Sequence, residues 1–137
     1  MILVEKLAAI FLMSLVGFNP VKAFAHAGGH GPPPMVAECK AKDCTESEIE
    51  AGALKLVPMM AEASKLDLKS WQAITKATST EKIDVRQPGM GQKDITIKLW
   101  KVHIANAKEP EVSKRNFYIF ISERGELAGA NFDGQIN

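Results

Sequence analysis

An α+β domain is the fold class this sequence predicts, with a kinked N-terminal helix packed on a small antiparallel β-sheet. Three observations predict it. A capping-box signature opens one amphipathic stripe near Thr45, the chain beyond Ser70 alternates apolar and polar residues, and the last alternating runs flank a turn at Gly125.

Ahead of the domain lies an apolar run, Leu7 to Phe18, of 12 residues. That length suits the h-region of a secretory signal and is too short to span a bilayer. Asn19 and Pro20 break the run before AFAHAGGH, Ala23 to His30. Ala23 and Ala25 fit a signal-peptidase site, so residues 1–25 read as a signal peptide; Ala25 and Ala27 fit an alternative cleavage after residue 27. Residues 26–44 then read as a flexible His/Gly/Pro leader with a cysteine loop, and 45–137 as one domain. The expected location is periplasmic or secreted, with no stable membrane insertion after signal cleavage.

Both cleavages place a histidine beside a new α-amino group. With Gly28 first, its amine, two main-chain nitrogens (those of Gly29 and His30) and the His30 imidazole can close around one ion in a plane, which suits Cu(II) and then Ni(II). The glycines carry no Cβ to obstruct that flat backbone. With His26 first, its amine and imidazole form a chelate on one residue, and His30 can reach back across Ala27, Gly28 and Gly29 to add a third nitrogen. His26, Gly28, Gly29 and His30 are therefore the candidate metal ligands, with Cu(II) the candidate cofactor. The alternative is an inert soluble spacer, continued by Gly31 to Pro34.

Taking residues 1–25 from the 137 leaves 112, one domain of ordinary size. The 17 basic and 16 acidic residues fall to 15 each once Lys6, Lys22 and Glu5 are removed. A formal charge of zero argues against nucleic acid and anionic membrane as partners. Cys39 and Cys44 are the two cysteines, and in an oxidising compartment a pair this close reads most simply as a disulfide; a thiol redox site and soft ligation of Cu(I) are the alternatives.

Thr45 with Glu48 forms the capping box, and Glu46, Glu48 and Glu50 put acid in the first turn where the helix dipole favours it. Ile49, Ala53, Leu56, Val57 and Met60 recur at helical spacing. Pro58 should kink or split the helix near Leu54, whose carbonyl loses its donor. Met35, Met59 and Met60 could serve as thioether ligands but fit better as gap fillers. A first extended segment is expected from Ser70 to Thr78, where Trp71, Ala73, Thr75 and Ala77 alternate. Thr78 to Thr80 and Gln87 to Gln92 read as loop, with 81–86 unassigned between them. Ile95 to Ile104 reads as a strand whose apolar side changes at Leu99 and Trp100, which a bulge there would accommodate. The hairpin runs from Asn116 to Ser122, turns through Glu123 to Glu126, and returns over Leu127 to Phe132. Its first strand is apolar on both sides, implying cover on each or a face used for binding, for which Trp100, Tyr118 and Phe120 are the candidates. His103 reads as a surface or edge residue.

Ser70 and Trp71, the run from Trp100 to Asn106, Phe117 to Phe120, and Gly125 with Ala130 to Gly134 resemble a family of small exported bacterial proteins of unknown function with a histidine-containing mature N-terminus. The resemblance implies an association with heavy-metal efflux systems. The order of helix and sheet also looks like a PepSY-type or cystatin-like module. An enzyme is not expected: the chain has no HExxH, phosphate loop or recognisable nucleophile and base. The functional expectation is a periplasmic copper-type metal-binding or metal-homeostasis accessory protein; the alternative is a protein-interaction or inhibitory module with no metal role.

Overall fold

The computed structural model describes residues 34–89, 91 and 93–136. Helix α1 (Glu46–Ala63) and helix α2 (Leu68–Gln72) precede strands β1 (Ser79–Pro88), β2 (Asp94–Ala105), β3 (Asn116–Ser122) and β4 (Leu127–Asn131). The strands form one antiparallel sheet in the order β1-β2-β3-β4, so each pairs with its neighbour in sequence. The α+β architecture is as the sequence predicts.

Helix α1 starts where the capping box places it. The Glu48 amide donates to Thr45 Oγ1 at 3.3 Å, and the Thr45 amide donates to Glu48 Oε1 at 2.9 Å. Two otherwise orphaned donors are thereby satisfied. The predicted stripe is the buried one: Ile49, Ala53, Leu56, Val57 and Met60 all face the core. Pro58 does not split the helix, which continues through it to Ala63. Met60 is fully buried and Met59 packs against the same core, as gap fillers do.

The helix covers one face of the sheet, where Trp100, Val102 and Ile104 of β2 meet Phe117, Ile119 and Ile121 of β3. A smaller cluster fills the other face: Val85, Leu99 and Phe120, flanked by Ile83, Ile97, Tyr118 and Ile136. Strands apolar on both sides are thus explained by two clusters on one regular sheet. No bulge is needed at Leu99 and Trp100, and β2 keeps an unbroken register with both neighbours there. The irregularity lies instead between Phe120 and Ile121, where β3 meets β4.

Two further expectations are corrected. Ser70 to Thr78 is not extended: its first residues belong to α2, because Trp71 is drawn into the core, and an irregular stretch follows. The segment 81–86, with Ser79, Thr80, Gln87 and Pro88 around it, forms β1, a ten-residue edge strand. Only one of its faces is apolar, and Pro88 is tolerated because an edge strand can spare a donor.

Residues 34–44, read from sequence as part of the leader, pack on the domain from Pro34 onward. The amides of Val36 and Ala37 donate to the Gly125 carbonyl at 2.7 and 3.1 Å, Leu127 donates to the Pro34 carbonyl, and Cys44 to that of Glu123. This strap fits between α1 and the β3–β4 turn because both neighbours are glycine at the contact. A Cβ on Gly52 would lie 2.6 Å from the Val36 carbonyl oxygen, and one on Gly125 would run into that of Ala37. Gly125 also has φ of 92°, which suits glycine in this turn.

Candidate functional site

His26, Gly28, Gly29 and His30 lie outside the described residues. What the structure describes is the point from which that leader departs, Pro34 and Met35 beside the β3–β4 turn, where Met35 bridges Glu126 and is 54% exposed. Just beyond, Cys39 and Cys44 are joined in a disulfide with Cα atoms 5.0 Å apart. Neither cysteine is free, so the dithiol and Cu(I) alternatives do not describe this state. Cys44 is buried under Gly125, while Cys39 is partly exposed. Among the described residues no group of three or more His, Cys, Asp or Glu side chains could hold a metal ion.

The aromatic face expected from Trp100, Tyr118 and Phe120 is not assembled as one surface. The register puts Trp100 opposite Ile121 on the helix-covered face, whereas Tyr118 and Phe120 point the other way. Phe120 is fully buried. Only Tyr118 remains partly open, with the His103 ring stacked on it at 4.6 Å and Lys101 Nζ 5.1 Å from its centroid. His103 also shares a 2.7 Å hydrogen bond with Asn116 Oδ1. It sits on an inner strand rather than at an edge, on the sheet face away from α1.

Two polar features were not singled out from the sequence. Glu109 is 2% exposed, yet its carboxylate accepts from the amides of Asp67 (3.0 Å) and Glu111 (2.8 Å) and from Trp71 Nε1 (3.0 Å). Burial pushes its pKa up, but the donated hydrogen bonds and the Arg115 charge outweigh burial and hold the carboxyl below its usual value. Glu109 therefore fastens the loop before β3 to α2, and a buried glutamate on a loop carries no sequence periodicity that would have flagged it. Glu48 is likewise held low, first by the Thr45 amide and then by that of Lys40.

The second feature is a groove of about 440 Å³ between the first turn of α1 and the start of β1, lined by Glu46, Ser47, Glu50, Lys76 and Thr80 among others. Glu50 fixes its rim by accepting from the Ala77 amide at 3.0 Å. Thr80 Oγ1 is buried there with no hydrogen-bond partner, as is Trp100 Nε1 on the same sheet face. Orphaned polar atoms are uncommon in folded proteins. The groove could be found only once β1 was placed beside the helix start.

Among the described residues no helix is long and apolar enough to cross a membrane. Neither the curated proteins nor the solved structures include a match to this chain. Residues 4–135 do match a family model, which covers both the leader and the folded part, and the chain belongs to that family of unknown function, DUF6488.

Proposed function

We propose that the protein is an exported metal-homeostasis accessory whose folded part carries a copper-binding N-terminal leader. The observation that carries this reading is the sequence AHAGGH, Ala25 to His30, a few residues beyond an apolar run of signal-peptide length. Either cleavage gathers nitrogen donors, an amine with two amides and an imidazole if Gly28 is first or an amine with two imidazoles if His26 is first, and nitrogen donors suit Cu(II). The strap adds support, since a leader fastened at Pro34 to Ala37 and closed by a disulfide keeps its ligands tethered to a stable body. A heavy-metal efflux system is the proposed partner and the periplasm the proposed location. No catalytic role is assigned.

Calorimetric titration of Cu(II) into the mature protein, against a competing chelator, tests this. One Cu(II) should bind near neutral pH. His30→Ala and acetylation of the α-amine should each weaken binding sharply, because imidazole and amine nitrogens must be free to coordinate. His26→Ala should matter only if the mature chain begins at His26. Equal binding by all variants removes the leader as the metal site and leaves a protein-interaction module as the better reading, which the exposed Ile95 and the half-buried Ile83 and Ile97 on the sheet face away from α1 favour.

A further inference from the structure

We infer that the chain forms a two-fold dimer by pairing β1 with β1 of a second copy, antiparallel, with Ile83 on the axis. Strand β1 is an edge over its whole length, ten residues in unbroken register with β2. Long regular edges usually acquire a partner or a device that blocks one. The devices here are Pro88, at the very end of the strand, and the exposed charges of Lys82, Asp84 and Arg86, which block a like-charged register but not a complementary one.

The backbone fixes which atoms are available. The Asn106 amide bonds to the Arg115 carbonyl on the β3 side, and the Gly89 amide to the Lys93 carbonyl across the β1–β2 turn. In an antiparallel ladder residues alternate between the two neighbours. Odd-numbered residues of β1 therefore point their N–H and C=O groups at β2, and Thr80, Lys82, Asp84 and Arg86 point theirs outward. Pairing about Ile83 joins those outward groups as Thr80 with the partner's Arg86 and Lys82 with the partner's Asp84, about eight main-chain hydrogen bonds in all.

Side chains select that register. Centring the pair on Lys82 would set lysine against lysine, and centring it on Asp84 would set aspartate against aspartate and Lys82 against Arg86. Centring it on Val85 would bring Pro88, which has no N–H, against Lys82. About Ile83 the charges are opposite and Ile83 meets its own copy, so the apolar face of Ile83, Val85, Ile97 and Leu99 continues across the axis.

The groove supplies an independent argument. Thr80 and Arg86 both lie on the helix-covered side of β1, so the partner's Arg86 comes beside Thr80, which borders the groove with Glu46 and Glu50. Its guanidinium brings donors to the two carboxylates of the groove. Lys76 on the same rim offsets part of the acidity. Within the chain Arg86 is exposed and is cross-strand from Thr96, and no ion pair of its own is formed among the described residues.

Sedimentation-equilibrium mass measurement over a concentration series decides the matter. Wild type should reach twice the chain mass. Arg86→Glu and Glu46→Arg should each weaken association by about tenfold or more, and the Arg86→Glu/Glu46→Arg double variant should recover much of it. Asp84→Pro removes an outward amide that β2 does not use, so it should yield a monomer whose circular dichroism matches wild type. A wild type that stays monomeric throughout overturns the proposal, as does a dimer untouched by Asp84→Pro and Arg86→Glu.

Discussion

Glu109 shows how much one residue can hold when its surroundings are complete. A carboxylate this deep is costly unless paired, and three donors aimed at it remove the cost. Its lowered pKa sets the sign of the acid response. Stability from the carboxylate is fully present above the unfolded value near 4.3 and is lost as pH falls through the lower folded value. Urea midpoints should therefore drop in this acid range, and Glu109→Gln should flatten that drop. At neutral pH the same substitution should cost roughly 1–3 kcal/mol, because an amide cannot accept at every position a carboxylate does. An acid limb identical in wild type and Glu109→Gln would assign the acid sensitivity to other groups. Trp71 was visible in the sequence as a large apolar residue, but its partner 38 positions away was not.

Among the elements, legibility followed periodicity. Helix α1 announced both its start and its buried face, because Thr45, Glu48 and the stripe from Ile49 to Met60 each act locally. Strands β3 and β4 were equally plain, since the turn between them needs the positive φ that Gly125 supplies. Strand β1 is hard to read in the sequence for a physical reason: most of its residues are exposed or half-buried, with Val85 alone buried, so edge position and charge mask the alternation. The short helix α2 overlaps the start of the extended segment expected from Ser70, because five residues cannot display a helical period. Of the candidate site, the disulfide was legible from spacing, whereas the supposed aromatic face was not, since strand parity alone cannot show which face a helix covers. The β3–β4 turn yields its own test. Gly125→Ala combines a strained φ with a collision against Ala37, so it should cost more than about 1–3 kcal/mol and loosen the strap. Faster amide exchange at Val36 and Ala37 than at Trp100 would register the loosening, and unchanged protection at all three would show that the strap is not held by this turn.

At the scale of the whole molecule, Pro34 divides the chain into a part that carries the proposed chemistry and a part that carries the fold. The strap from residue 34 to residue 44 belongs with the fold: Ala37 and Cys44 join the main core, and the hydrogen bonds to the carbonyls of Gly125 and Glu123 tie it to the hairpin. Two truncations should therefore behave in opposite ways. A chain beginning at Pro34 should unfold at nearly the wild-type denaturant midpoint, because every described contact remains, yet it should lose the nitrogen-ligated copper expected of the mature protein. A chain beginning at Thr45 should lose roughly 3–5 kcal/mol through exposed apolar surface and unpaired main-chain groups, a large fraction of the stability of a domain this small. Both truncations leave β1 intact, so dimer formation should persist in the first and be limited in the second only by how much of the chain stays folded. Copper retained by the chain that begins at Pro34 would place the metal on the folded part and separate the leader from the function altogether.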